Sequence, residues 1–274
     1  MINTVKRIKD FTYSKNLLKE LVKTDFKLRY QGSILGILWS VLKPLALFFV
    51  MYMVFVRFLK FTDGTPTFPI VLLLGISLWS FFSEATSVGM RSIVDRGDIL
   101  RKINFPKTII VLSTTTGSLI GLAINLVVVI IFALFSGVQF TWWVLLVPFG
   151  ILQLYAIAMG LAFILSALYV KFRDIGHIWD VVLQALFYAT PIIYPISMVI
   201  NNHPEIAKVM MLSPITQSIQ DIRHNLISPS TVPTTWGMIN TWYIAIIPVI
   251  LTIVLLVVGV LYFNKNSKNF AEDL

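Results

Sequence analysis

Residues 242–263 read WYIAIIPVILTIVLLVVGVLYF, a run of 22 residues without a charged side chain. At about 1.5 Å per residue, a helix over this run would cross the roughly 30 Å hydrocarbon core of a bilayer. The whole 274-residue chain is similarly apolar, with 57% hydrophobic and 13% charged residues and a mean hydropathy of +0.83. A soluble domain of this size could not bury so much apolar surface. The composition therefore predicts an integral membrane protein.

Uninterrupted apolar runs predict six membrane-spanning helices. They are Ile34–Val56, Pro69–Met90, Ile109–Phe135, Trp142–Val170, Ile178–Met198 and Trp242–Phe263. With both termini in the cytoplasm, 17 of the 22 lysines and arginines lie on the inner side, as the positive-inside rule favours. We expect an all-α, multi-pass membrane protein with a cytoplasmic interface region (1–33), a six-span domain (34–264) and a cytoplasmic tail (265–274).

Prolines divide the stretch from Thr190 to Ile227, which begins within the fifth predicted span. Apolar pieces too short to cross a bilayer are separated by Pro191, Pro195, Pro204 and Pro214. Such a pattern favours a broken helix followed by short re-entrant or interfacial helices on the outer side. An ordinary extracellular loop with proline turns is the alternative.

Residues 17–33, LLKELVKTDFKLRYQGS, have the period of an amphipathic helix that lies in the cytoplasmic interface. One half of the helical wheel holds Leu17, Leu18, Leu21, Val22, Phe26 and Leu28. Asp25 and Arg29 lie four residues apart on this side, so they can pair with each other or with a partner protein. Lys23, Lys27 and Arg29 form a basic collar that could receive a phosphate-bearing headgroup. A plain anchor helix on bulk anionic lipid is the alternative.

Two charges lie deep inside predicted spans, where an ionised group costs at least about 2.5–3.5 kcal/mol. Lys43 and Glu84 lie at similar depths in neighbouring antiparallel spans, so we hypothesise an ion pair that faces the bundle interior or a wet path. In the alternative, Lys43 snorkels to the interface and Glu84 is neutral.

Residues 91–107, RSIVDRGDILRKINFPK, alternate charged and aliphatic side chains between the second and third spans. A short helix that ends before Pro106 would suit docking on a soluble partner. A solvated basic loop is the alternative.

Several classes of function lack the residues they need. Cysteine is absent, and His177, His203 and His224 are scattered, so no metal site is expected. The net charge of +9 gathers beside apolar runs, which indicates anionic lipid headgroups rather than nucleic acid. No G-x-x-x-x-G-K-[ST] run is present, so the sequence lacks this nucleotide-binding loop.

Two strings carry a family resemblance: LLKELVKTDFKLRYQGSILGILWSVLKPL (17–45) and DRGDILRKINFP (95–106). Together with the span layout, they resemble permease subunits of type-2 ABC exporters for cell-surface polysaccharides. The first string is most like Gram-positive exporters of rhamnose-rich polysaccharide, and the layout also resembles O-antigen and wall teichoic acid permeases.

The resemblance implies a homodimer in the bacterial plasma membrane with two copies of a separate ATP-binding subunit. ATP and Mg would be bound by that subunit, this chain would hold no cofactor and do no catalysis, and the substrate would be a polysaccharide on undecaprenyl diphosphate. By resemblance, the helix that couples to the ATPase contains Asp95, Arg96, Gly97, Asp98, Leu100, Arg101, Lys102 and Asn104. The entry for the lipid diphosphate would be flanked by Lys27, Arg29, Tyr30 and Gly32, and the outer gate would contain Pro191, Pro195 and Pro214.

Aromatic rings are expected along a polysaccharide path, because the C–H faces of sugars stack on them. The candidates are Trp79, Phe81, Phe82, Phe187, Tyr188 and Tyr194, with simple packing or interfacial anchoring as the alternative. Two other functions remain open. One is an ABC permease for a drug or a simple lipid, and the other is a membrane-embedded glycan transferase, for which no converging acid, base or metal ligands are evident.

Overall fold

The computed structural model describes residues 15–25, 27, 34–102, 105–239 and 241–270, and within these ranges the chain is helical with no strand. A helix over residues 15–25 (α1) precedes twelve further α-helices: α2 (Trp39–Met51), α3 (Phe68–Asp95), α4 (Gly97–Lys102), α5 (Thr108–Phe135), α6 (Val147–Lys171), α7 (Ile175–Ala189), α8 (Ile196–Asn202), α9 (Pro204–Met211), α10 (Pro214–Leu226), α11 (Thr235–Met238), α12 (Trp242–Ala245) and α13 (Ile247–Asn266). A π-helix (Tyr52–Phe58) continues α2, and 3₁₀ turns (Gly36–Leu38 and Trp142–Leu146) lead into α2 and α6.

Among the described residues, five helical segments are long and apolar enough to cross a membrane, which agrees with the all-α membrane fold expected from the sequence. They are Trp39–Phe58, Phe68–Asp95, Thr108–Phe135, Trp142–Lys171 and Trp242–Asn266. They correspond to the first four predicted spans and the last one. The short helices predicted before the last span are present as α8, α9 and α10.

The fifth span, predicted over Ile178–Met198, is wrong as a continuous helix. The helix α7 has 15 residues, or about 22 Å, and it ends at Ala189. Thr190 has extended backbone with ψ 134°, and Pro195 has ψ 138°. A residue that precedes a proline is pushed out of the α region, so Pro191 ends the helix. The chain restarts as α8 only after Pro195.

The centre of the bundle is α3. Of its most apolar window, 78% is buried, and it packs against α5 and α6. By contrast, only 6% of the corresponding window of α2 is buried, and α13 has 22%. The apolar surfaces of α2 and α13 are therefore left for lipid or for another protein chain.

A close helix crossing joins α6 to α13 through two glycines. A Cβ placed on Gly259 would lie 2.4 Å from the carbonyl oxygen of Gly160. Small residues of this kind let membrane helices approach until their backbones touch. This crossing fixes the last span against the centre of the bundle.

The amphipathic character predicted for the N-terminal helix is present in α1. Its apolar side chains are half-buried, while Lys19, Glu20 and Lys23 are exposed. Leu17 packs on a buried cluster that includes Ile93 of α3. The helix therefore lies on the ends of the spans.

Candidate functional site

Several of the candidate functional residues lie at the two ends of the bundle, which α3 connects. At one end, called the proximal end, Arg96 follows α3 and contacts Asp25 of α1. At the other, the distal end, Thr67 precedes α3 and its hydroxyl lies 3.0 Å from that of Ser228, which follows α10. The short helices α8 to α12 belong to the distal end.

A three-residue polar cluster ties the proximal elements together. The Arg96 guanidinium forms an ion pair with the Asp25 carboxylate and donates to the Ser113 hydroxyl of α5 at 3.0 Å. The Ser113 hydroxyl lies 3.1 Å from the other Asp25 oxygen. Burial lowers the pKa of Arg96, but arginine does not lose its proton in proteins, so the guanidinium keeps its charge near neutral pH. The pairing of Asp25 with Arg29 predicted as one option involves a residue outside the described ranges.

The segment predicted to dock on a partner contains the helix α4. Asp95 is the last residue of α3, Arg96 forms the turn, and Gly97 begins α4. Leu100 is buried in a cluster with Phe105, whereas Asp98 is exposed. Leu100 thus anchors this short helix to the bundle, and Asp98 exposes a charge on its opposite surface. Asn104 and the side chains of Arg101 and Lys102 lie outside what the structure describes.

The C-terminal residues are fastened to the proximal end near this helix. The Lys107 ammonium donates to the backbone oxygen of Ser267 and lies 5.5 Å from the ring centroid of Phe270. Burial lowers the pKa of Lys107. Phe270 in turn stacks edge-on against Phe263, with 5.3 Å between the ring centroids.

Of the predicted lipid diphosphate entry, only Lys27 is described. It is helical and exposed. Arg29, Tyr30 and Gly32 lie outside the described residues, so the entry stays a prediction.

The two charges in the spans have different surroundings. Glu84 is half-buried, and its Oε1 accepts a hydrogen bond from the Ser118 hydroxyl at 3.3 Å. Lys43 is exposed along α2 and takes no part in the ion pairs recorded between described residues. The predicted coupling of Lys43 to Glu84 stays a prediction.

Most of the predicted path aromatics form a packed cluster. Phe81 and Phe82 are buried in the core, and the Trp79 ring packs on Phe82 at 5.4 Å and on Phe187 at 5.6 Å between centroids. Tyr188 differs because 55% of it is exposed. The Tyr194 hydroxyl donates to the Tyr188 carbonyl at 3.0 Å, and burial raises the pKa of Tyr194. The role of these aromatic residues in a polysaccharide path stays a prediction. Tyr188 is the member whose side chain remains largely accessible.

The helix α7 has an uncovered face that mixes polar with apolar side chains. Trp179 and Leu183 point into the bundle, and the Trp179 indole donates to the Thr86 hydroxyl at 3.1 Å. The opposite side exposes His177, Asp180, Gln184 and Tyr188. Intramembrane polar groups face protein or water rather than lipid tails. This face therefore needs another chain or an aqueous path beside it.

At the distal end, a buried arginine supports the broken segment after α7. The Arg223 side chain of α10 is 2% exposed and donates to the Pro191 carbonyl at 2.6 Å and the Ile192 carbonyl at 2.7 Å. The guanidinium packs against Gly75 of α3, and a Cβ added to that glycine would lie 1.7 Å from the Nη2 atom of Arg223. Its Nε and the Thr231 hydroxyl border a cavity of about 20 Å³, wide enough for one bridging water.

The sequence did not predict the role of Arg223. It predicted only that this basic residue lies on the outer side of the membrane. A signal was present, since a proline-broken helix leaves carbonyls without partners and a nearby donor must satisfy them. Among the prolines predicted to form the gate, Pro191 lies in the break that Arg223 supports. Pro195 caps α8, and Pro214 begins α10.

A family model for the ABC-2 type transporter matches residues 16–227, which include α1 and all helices up to α10. The chain belongs to the ABC-2 type transporter family. A multi-pass membrane protein with several long apolar helices agrees with that membership.

Curated relatives match this ABC-2 transporter over most of its length. An "O-antigen export system permease protein RfbA" from Myxococcus xanthus is 31% identical over 209 residues, which cover 76% of this chain and 78% of that protein. Two proteins of the same name from Klebsiella pneumoniae are 28% and 26% identical, and each alignment covers 96% of both chains. Within the described part of the ABC-2 chain, no group of three or more acids and histidines could hold a metal ion.

Proposed function

We propose that the chain is the membrane permease of an ATP-driven exporter that carries a lipid-linked cell-surface polysaccharide from the cytoplasm to the outer face of the bacterial plasma membrane. The observation that carries the proposal is near full-length similarity to O-antigen export permeases. The polar face of α7 supports it, because a hydrophilic polymer needs a route that lipid tails do not line. The polymer would be a rhamnan, an O-antigen or a teichoic acid on undecaprenyl diphosphate.

The working unit in this proposal is a homodimer with two ATP-binding subunits, which would hold ATP and Mg. The exposed surfaces of α2 and α7 support a second permease copy, since α2 buries almost none of its apolar side chains and α7 exposes polar ones. Lys43 lies on the same uncovered part of α2. The path would run along these surfaces, and Tyr188 would be within reach of the polymer.

The proximal end would be cytoplasmic, with both chain termini on that side, and α4 would couple to the ATP-binding subunit. The coupling segment would comprise Asp95, Arg96, Gly97, Asp98, Leu100, Arg101, Lys102 and Asn104. The buried Leu100 would anchor it to the bundle, and exposed side chains such as Asp98 would make the contacts. The lipid diphosphate would enter beside Lys27, Arg29, Tyr30 and Gly32. The distal end would face outward, and Pro191, Pro195 and Pro214 would shape its gate, with Arg223 as the support.

Depletion of the chain in its source bacterium tests the substrate. We expect surface polysaccharide to fall while the same polymer accumulates inside cells on a lipid diphosphate, and a plasmid copy of the chain should reverse both changes. Normal surface polymer together with altered lipid or drug efflux would contradict a polysaccharide substrate.

The docking role of α4 is tested by Asp98→Lys, which reverses an exposed charge without touching the buried Leu100. We expect less ATP-binding subunit to co-purify with this variant than with the wild type. Glu205→Lys is the matched control, because Glu205 is an exposed acid at the distal end. If both variants retain the subunit equally well, Asp98 is outside the contact.

A further inference from the structure

A cavity of about 620 Å³ lies at the distal end between α6, α10 and α13, away from α7. Its volume falls within the range of about 300–1,000 Å³ that small-molecule sites occupy. The lining residues of α6 reach Ala156, nine residues beyond the start of that helix, which is about 14 Å from its distal end. The cavity therefore spans the depth of roughly one leaflet.

The wall on the spans is apolar and the wall on α10 is polar. Phe149, Leu152 and Ile253 line the side of the cavity that points away from the bundle. They are themselves well exposed, so the opening faces the hydrocarbon. Gln217 and Asp221 line the inner side. The cavity thus has one apolar wall and one polar wall, which match the apolar and polar parts of an amphiphilic ligand.

Most polar groups in the cavity already have partners. The Gln153 amide donates to the Gln217 amide oxygen at 2.9 Å, and the His224 Nδ1 atom lies 2.6 Å from the Val232 carbonyl oxygen. Asp221 is the exception, because its buried Oδ1 has no hydrogen-bond partner among the described residues. A buried carboxylate without a partner is costly.

The charge of the cavity is one-sided. Among the described residues that line it, Asp221 is the one acid and there is no lysine or arginine. Trp143 and Trp236 stand at the rim with about half of each side chain exposed. Indole faces attract ammonium groups, and an ammonium group carries three donors that a carboxylate can accept.

We propose that this cavity binds a phospholipid with an amine-bearing headgroup. The ammonium group donates to Asp221 beneath the two indole rings, and an acyl chain lies along Phe149, Leu152 and Ile253. This lipid site is a function beyond the proposed export. It rests on the export proposal only for the orientation of the chain, in which the distal end lies in the outer leaflet. Binding is measured without ATP or transport, so a failure here leaves the export proposal untouched.

The test uses the purified full-length chain in micelles that contain equal amounts of phosphatidylethanolamine and phosphatidylglycerol with identical acyl chains. Native mass spectrometry counts the lipids that remain bound. The wild type should retain phosphatidylethanolamine preferentially, and Asp221→Asn should weaken this retention roughly tenfold or more, as expected for the loss of a charged hydrogen bond. Ala156→Phe, which fills the cavity, should release both lipids.

Matched controls are available on surfaces that the cavity does not include. Glu205→Gln removes an exposed carboxylate at the same end, and Leu261→Phe enlarges an exposed side chain of α13, so both should bind lipid as the wild type does. If Asp221→Asn fails to fold, Trp236→Ala at the exposed rim should show the same loss of preference. Equal retention of both lipids by the wild type, no retained lipid, or an unchanged preference in Asp221→Asn would each overturn the proposal.

Discussion

Arg96, which follows the central helix α3, forms an ion pair with Asp25 of the amphipathic helix α1. The two residues are 71 positions apart, and both side chains are largely buried. Ser113 of α5 holds the pair from a third element. A displacement of the turn before α4 would therefore act directly on α1.

Removing either charge should destabilise the proximal end. Arg96→Gln and Asp25→Asn should each lower the free energy of unfolding in mixed micelles by about 1.5–3 kcal/mol, because each leaves the other charge without its partner. The double variant should lose little more than the worse single variant. Arg91→Gln, an exposed arginine nearby, is the control and should be close to neutral. Additive losses in the double-mutant cycle would contradict the pair.

The buried guanidinium of Arg223 should be required for an ordered distal end. Arg223→Met removes the donors to two carbonyls, and we expect a loss of roughly 3–5 kcal/mol in unfolding free energy. Cleavage by an added protease near residues 190–195 should also increase. Lys208→Met removes an exposed cation from the same end and serves as the control. Wild-type protection of the segment in Arg223→Met would refute the supporting role.

The crossing of α6 and α13 should tolerate no side chain larger than hydrogen. Gly259→Ala places a Cβ against the backbone of Gly160, so overpacking should cost about 1–3 kcal/mol and lower the melting temperature in detergent. Gly121→Ala is the matched control, since a Cβ there meets no atom within 4 Å. It should be neutral or slightly stabilising. Equal melting temperatures of the two variants would show that the helices are not in backbone contact.

The uncovered face of α7 should be accessible to water. Because the chain has no cysteine, Gln184→Cys introduces a single thiol that a membrane-impermeant maleimide should label in assembled complexes. Leu261→Cys on the exposed side of α13 should label slowly, since lipid surrounds it. Labelling of Gln184→Cys no faster than of Leu261→Cys would contradict a wet path.

Tyr188 should matter for export, because it is exposed on the same face of α7. Tyr188→Ala should reduce polymer export without loss of the ATP-binding subunit.

The sequence predicts most of the long helices because an apolar run of bilayer length has few other stable structures in a membrane. It also predicts the amphipathic α1 and the helical α4, where periodicity and flanking residues agree. Hydropathy alone extends the fifth span too far, because Ile192, Ile193 and Ile196 continue the apolar run although Pro191 has already ended the helix. The broken helix that Pro191 and Pro195 predict is confirmed, since the helix ends at Ala189 and restarts at Ile196.

The residues that hold the two ends together could not be predicted in the same way. Arg96 with Asp25 and Arg223 with Pro191 are contacts across the fold, and no local spacing relates their partners. The helical period offers Asp25 a partner four residues away in Arg29, which stays a prediction. The contact with Arg96 comes from tertiary packing, which no local spacing indicates. Likewise, the aromatic residues of α3 fit a path or a core equally well by sequence, and burial places Phe82 in the core.

The export claim is tested most directly in inside-out vesicles that contain the chain and its ATP-binding subunit. Lipid-linked polysaccharide added outside should become protected from an added glycosidase when ATP is supplied, and protection should disappear without ATP. ATP hydrolysis by the assembled complex with no protected polymer, or equal protection without ATP, would contradict the account.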